Sequence, residues 1–301
     1  PCILLYVLQS IGSSPGRQGF KMAVIAEGHM CGSIGGGIME HKFVEMAKAL
    51  LHKSETINRV YQQQHDKDAG DNKSGMICSG EQSIFIYSIR EQDISFIKQL
   101  VNSEEAFQNG TLQLSKEGVV FSERPPQQDF HFEQTGEEFL YTEKTGYKNQ
   151  LHIIGGGHCA LALSRLMRGM DFYIRVYDER EGLNTMVQNE FAHEKILVNS
   201  YEEIKDFIPG ERNVYVVVMT FGYRTDDLAI RSLLNRRFTY CGVLGSASKM
   251  KRMKEAYAAE KLSGSLLEQM HSPIGMAINS QTPEEIAVSI AAEIVKVKNE
   301  S

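Results

Sequence analysis

Two different hydrophobic patterns divide the chain. From residue 148 onward, short apolar runs alternate with stretches of helical spacing, and each run is brief enough to be a fully buried strand. The predicted strands are Leu151 to Ile154, Phe172 to Tyr177, Lys195–Val198, Val214–Thr220 and Tyr240–Leu244. The predicted helices are an amphipathic run through Leu166, then Asp226–Asn235, Ser248–Lys261 and Pro283–Val297. The last has a well-formed start: Thr282 as N-cap, Pro283 at the first helical position and Glu285 closing a capping box. Ile286, Ile290, Ile294 and Val297 then make one apolar seam. Alternating strand and helix implies a doubly wound parallel sheet.

The pattern before residue 148 is mixed. Ile3 to Leu8 reads as a strand, Gly12 to Gly19 as a turn and Lys21 to Ala26 as the returning strand. Ile38 to Leu51 has helical spacing, with Phe43, Met46, Ala47 and Leu50 on one side. Ser83 to Ile89 is a predicted strand, Ile94 to Phe107 a helix, and Thr111–Leu114 with Val119–Phe121 a hairpin. Gln62 to Gly75 is polar and predicted to be a loop. Pro125 to Gln128 breaks any continuing element, and the acidic stretch to Tyr147 has no clear period. The expected fold class is α/β: an N-terminal α+β domain over 1–147, then a Rossmann-like domain over 148–301.

Composition narrows the function classes. With 42% hydrophobic and 23% charged residues, the chain can build real cores. A net charge of -6 leaves no basic footprint for nucleic acid. The longest apolar run, Val214 to Phe221, is far too short to span a bilayer, so no membrane association is expected. Cys2, Cys31, Cys78, Cys159 and Cys241 are scattered and form no C-x-x-C pair. That pattern supports neither a thiolate zinc site nor a disulfide framework, and it favours a reducing cytoplasm. The chain opens on Pro1 rather than Met, from which a lost N-terminal segment is expected.

The strongest chemical signal is Gly155-Gly156-Gly157-His158-Cys159-Ala160, set between a strand and a helix. This G-x-G-x-x-A turn, with Asp178 ending the next strand about 20 residues on, is the dinucleotide fingerprint in its required context. Gly155 permits the turn, Gly157 lets a pyrophosphate approach, and Asp178 stands where a ribose hydroxyl could bind. Read alone, the fingerprint points to an NAD(P)-dependent oxidoreductase. Four weaker motifs accompany it, each with an ordinary structural alternative. Gly35-Gly36-Gly37 before a helix could cradle a phosphate or a pterin edge, or simply close a connection. Arg17, in Ser13 to Gly19, could hold an anion or be solvated on a hairpin turn. Cys78, between small residues, could ligate a soft metal or be buried as a small hydrophobe. Ser246 opens a helix whose first turns carry Lys249, Lys251 and Arg252, cations that oppose the helix dipole unless an anion or acidic neighbour compensates. No Ser–His–Asp order or paired carboxylates appear, so hydrolysis has no support.

Together these motifs resemble the xanthine dehydrogenase accessory protein family (XdhC/CoxI-like). Four blocks carry the likeness: Gly12–Met22, Gly32–Glu40, Leu151–Arg180 with its GGGH turn, and Pro273–Val295. Val243 to Ser246 with the basic residues after it also fits. The resemblance implies a cytoplasmic maturation factor without turnover of its own. Such a factor would bind the molybdenum cofactor (molybdopterin), protect it during sulfuration and deliver it to an apo molybdenum hydroxylase. It would work with a cysteine desulfurase and as a homodimer. Arg17, Gly35, Gly36, Gly37, Cys78, Gly155, Gly157, His158, Asp178 and Ser246 then become expected cofactor contacts. Many relatives have a Cys directly after the glycine run; Ile38 stands there in this chain, which leaves Cys78 as the expected molybdenum contact. Where relatives often carry Thr-His-x-His, this chain has Thr220-Phe221-Gly222-Tyr223, and Gly16 interrupts the usual Ser-Pro-Arg.

Overall fold

A computed structural model describes residues 1–25, 27–64, 80–210 and 213–300. Cys78 and most of the polar segment expected to be a loop lie outside the described residues. The chain forms two compact units, Pro1–Gly146 and Tyr147–Ser301.

The first unit runs β1 (Cys2–Gly12), β2 (Lys21–Ile25), β3 (Met30–Gly32), α1 (Gly37–Lys53), β4 (Asn58–Gln64), β5 (Gly80–Ile89), α2 (Ile94–Glu105), β6 (Gly110–Ser115), β7 (Gly118–Ser122), β8 (Phe130–Thr135) and β9 (Glu138–Thr145). Two antiparallel sheets result, ordered β3-β2-β1-β5-β4 and β7-β6-β9-β8. Strand β1 is apolar on successive residues because both of its faces are covered. Ile3, Leu5 and Val7 pack under Phe43, Val44 and Ala47 of α1. Tyr6 and Leu8 pack against Leu112, Leu114, Phe139 and Tyr141 of the second sheet.

The first unit departs from the expected pattern at three places. Gln62 to Gln64 end strand β4 rather than begin a loop, because their backbone is paired with Glu81 to Ser83 of β5. The acidic stretch before Tyr147 is the β8–β9 hairpin. Its period of two was hidden by acids and a histidine on the exposed face, while Phe139 and Tyr141 point inward. Helix α2 stops at Glu105, and Phe107 turns into left-handed backbone at φ 56°.

The second unit runs β10 (Asn149–Ile154), α3 (His158–Arg168), β11 (Phe172–Asp178), α4 (Asn184–Val187), β12 (Glu194–Leu197), α5 (Ile204–Phe207), β13 (Val214–Val218), α6 (Tyr223–Leu233), β14 (Tyr240–Val243), α7 (Ala247–Ala259), α8 (Ser265–Gln269), β15 (Met270–His271) and α9 (Pro283–Glu300). Its parallel sheet is ordered β12-β11-β10-β13-β14-β15. Side chains alternate between two cores. Leu151, Ile153, Tyr215 and Val217 face α3 and α9. Ile154, Val216 and Val218 face α6 and α7. Strand order reverses between β10 and β13, and such a switch point opens a crevice at the carboxyl ends of the strands. Among the described residues, no helix is long and apolar enough to cross a membrane.

The Pro273-Ile274-Gly275 block ties the sheet edge to the last helix. Ile274 donates its N–H to Val243 O at 3.0 Å. The Gly275 N–H bonds the Glu293 carboxylate at 2.8 Å, and Tyr240 donates to the same oxygen at 2.6 Å. A Cβ on Gly275 would lie 2.3 Å from Ser289 Oγ, so only glycine fits this contact. The expected capping box of α9 is present: Glu285 N–H donates to Thr282 Oγ1, and Thr282 N–H to Glu285 Oε2, each at 3.2 Å.

Candidate functional site

The glycine turn after β10 sits at the switch point, and its three glycines have different surroundings. Gly155 is at φ +106°, and a Cβ there would stand 2.4 Å from Met219 O and 2.8 Å from the Thr220 Cα. The turn therefore touches the loop after β13 backbone to backbone. Gly156 is covered, since a Cβ there would meet Met186 Sδ at 2.5 Å, and Thr185 donates its hydroxyl to Gly156 O at 2.5 Å. Gly157 has no atom within 4 Å of where a Cβ would be. It is also the N-cap of α3, and no side chain caps that helix. The positive end of the helix dipole is thus left without a side-chain cap beside an open Gly157, an arrangement that can receive a phosphate or carboxylate. His158 is exposed in this first turn, while Ala160 is fully buried against the sheet.

Asp178 lies at the end of β11, fully buried, with its oxygens already engaged. Gly156 N–H donates to Oδ2 at 2.7 Å. Arg180 donates its backbone N–H (2.9 Å) and Nε (2.8 Å) to Oδ1, and Nη2 to Oδ2 (2.8 Å). Burial by itself would raise the Asp178 pKa. The bonds from Arg180 and Gly156 outweigh it and hold the carboxyl below its ordinary value. The Arg180 guanidinium also lies over the ring of Phe221, 5.1 Å from its centroid. Neither Arg180 nor Phe221 was among the expected contacts. In the sequence Arg180 only closes a matching block, and Phe221 only stands where relatives often carry a histidine.

The basic residues opening α7 have their compensating acid. Lys249 pairs with the buried Asp226 of α6 and donates to Leu244 O at 3.2 Å. Asp226 in turn accepts Thr220 N–H at 3.0 Å and the Thr220 hydroxyl at 2.6 Å. The Ser246 hydroxyl accepts Lys249 N–H at 3.2 Å and so caps α7. Tyr223, Ser246, Ser248, Lys249 and Arg252 line a cleft of about 600 Å³ beside it.

In the first unit the structure brings two expected motifs together. A Cβ on Gly16 would fall 2.0 Å from Ile34 O, and one on Gly35 would fall 2.3 Å from Gly16 N. The Arg17 turn and the glycine run are thus one packed feature, with Arg17 itself exposed. The run's N–H groups are already used in part. Glu40 Oε2 accepts Ile34 N–H at 2.9 Å, Gly36 N–H at 3.0 Å and the Ser33 hydroxyl at 2.7 Å. A carboxylate of the chain itself thus takes N–H groups that were expected to cradle a phosphate, while the Cβ side of Gly36 is open. Of the described cysteines, Cys31 is exposed, Cys2 and Cys159 are half-buried, and burial pushes the Cys241 thiol up to about 12. Among the described residues no group of three or more His, Cys, Asp or Glu could hold a metal ion.

Comparison with known proteins places both units. A model described as the XdhC Rossmann domain matches residues 151–294, and one described as the XdhC and CoxI family matches residues 1–62. YqeB of Escherichia coli (strain K12) is 24% identical over 303 residues, which take in 99% of this chain but 44% of YqeB. The chain thus spans less than half the length of that relative. A Bacillus subtilis (strain 168) protein, named as a probable xanthine dehydrogenase subunit, is 25% identical over 322 residues, covering 98% of this chain and 93% of its own. A crystal structure of a xanthine dehydrogenase from Bacillus halodurans shares the fold, with a TM-score of 0.74 at 22% identity over 100% of this chain and 92% of that one. With each unit matched in order by its own model and a relative aligned along nearly the full length of both proteins, the chain belongs to the XdhC and CoxI family.

Proposed function

We propose that this protein is a maturation factor that holds the molybdenum cofactor and hands it to a xanthine dehydrogenase-type molybdenum hydroxylase. The observation that carries the reading is the Gly157 turn. It offers an uncapped helix N-terminus to open space at the switch point, in a chain whose family is tied to xanthine dehydrogenase. The cofactor is a metal dithiolene on a phosphorylated pterin, and its phosphate suits this turn. The phosphate would take the N–H groups of His158 and Cys159. The Arg180–Asp178 pair fixes the turn through Gly156. When bound, the cofactor supplies the metal centre that the client hydroxylase uses; this chain's residues bind, orient and shield it. Cys78 remains the proposed thiolate contact, with a cysteine desulfurase and a homodimeric state as further parts of the proposal.

The reading is tested by producing the protein in cells with active cofactor synthesis and measuring molybdenum and pterin in the purified chain. Near-stoichiometric amounts support it, and their absence contradicts it. An NAD(P)-dependent oxidoreductase is the competing reading, favoured by the fingerprint itself. It requires ribose hydroxyls to displace Arg180 from Asp178, and it predicts a thermal shift with NAD or NADP.

A further inference from the structure

We infer that Phe221, backed by Arg180, is a stacking platform for the planar ring of a phosphorylated heterocycle whose phosphate lies at the Gly157 turn. Phe221 is 63% exposed, although it sits in a tightly held loop. Its neighbours explain why it cannot fold inward. Thr220 on one side is pinned to Asp226 through both its N–H and its hydroxyl. Gly222 on the other side is the N-cap of α6, and its carbonyl accepts the Thr225 hydroxyl at 3.0 Å. The ring is therefore presented by rigid backbone, and little freedom is lost when a ligand covers it.

One face of that ring is occupied. The Arg180 guanidinium lies over it at 5.1 Å, and the two bonds to Asp178 fix the guanidinium's plane. Asp178 also neutralises the cation, so the platform offers stacking surface rather than net charge. The other face is left to a flat partner. Its position relates it to the phosphate site: Gly155 touches Met219 and Thr220, so the turn ending in Gly157 and the loop carrying Phe221 form one rim. A ring joined to a phosphate matches this pairing of an aromatic face with a helix N-terminus. Pterin phosphates, flavin mononucleotide and adenine nucleotides share that chemistry. Naming the pterin as the ring rests on the cofactor-holding reading above; the platform does not.

The chain contains no tryptophan, so Phe221→Trp installs a single indole reporter at the platform. A pterin phosphate should quench that emission saturably, with inorganic phosphate competing. Binding of the same probe to the unsubstituted chain, followed by pterin fluorescence, should weaken at least about tenfold in both Phe221→Ala and Phe221→Leu. Melting temperatures should stay unchanged, because the ring is exposed. Equal affinity for Phe221→Ala and the parent, or no binding of pterin phosphate, flavin mononucleotide or AMP by the parent, would overturn the inference. Phe221-dependent binding of flavin mononucleotide or AMP but not of the pterin keeps the platform and contradicts the cofactor reading. Undiminished molybdenum and pterin in Phe221→Ala purified from cofactor-making cells does the reverse.

Discussion

Arg180 grips Asp178 through two parallel bonds, Nε to Oδ1 and Nη2 to Oδ2, each 2.8 Å long, while the same carboxylate accepts Gly156 N–H. This bidentate geometry is among the stronger charge-assisted arrangements, and it anchors the glycine turn to the next strand. Asp178→Asn should destabilise the second unit by roughly 2 kcal/mol at neutral pH, less than a fully buried pair because Arg180 is partly exposed. The folded-state pKa of Asp178 lies below its ordinary 3.8. Its stabilisation is therefore present above that value and lost as pH falls from 3.8 through the folded pKa. Urea midpoints recorded from pH 7 downward should fall less steeply in acid for Asp178→Asn than for the parent.

Lys249→Met should cost about 2–3 kcal/mol, because it leaves the buried Asp226 carboxylate without its cation. The double variant Lys249→Met with Asp226→Asn should recover most of that loss, since both charges are then gone. Chemical denaturation of the two single variants and the double variant measures the coupling. Simple additivity would refute a paired role.

The parallel sheet was legible because strands buried on both faces read as unbroken apolar runs, and Gly155, Ala160 and Asp178 stood at their required spacings. The β8–β9 hairpin was not, since its acids dilute the alternation that Phe139 and Tyr141 carry. Strand β4 was hidden for a related reason: the backbone of Gln62 to Gln64 pairs with β5 whatever the polarity of the side chains. At the site, spacing gave the glycine turn but not its partners. No periodicity announces that Glu40 fills the loop before α1, that Arg180 saturates Asp178, or that Phe221 is held outward. Those facts arise where separate segments meet.

The Gly16–Gly35 contact predicts a graded glycine series. Gly16→Ala and Gly35→Ala should each cost about 2–4 kcal/mol, because a methyl group would press on backbone atoms at 2.0 Å and 2.3 Å. Gly36→Ala meets nothing within 4 Å and should cost only about 1 kcal/mol, for its φ of +74°. Thermal melts of the three variants should separate the first two from the third.

Glu40→Ala removes the acceptor of the Ile34 and Gly36 N–H groups. Hydrogen exchange at these two amides should quicken by about tenfold, corresponding to the loss of roughly 1.4 kcal/mol of local protection. Exchange in strands β10 and β13 should be unaffected. Unchanged exchange at residues 34 and 36 would show that the glycine run holds its shape without the carboxylate.

The most direct test of the account is the molybdenum and pterin content of Gly157→Asp beside the unsubstituted chain, both purified from cells that make the cofactor. Aspartate fits the open space at Gly157 and is a favourable N-cap, so the helix should keep its stability while its N-terminus repels a phosphate. The account predicts near-stoichiometric molybdenum and pterin in the parent and little in the variant. Equal loading of the two, or an empty parent, would contradict it.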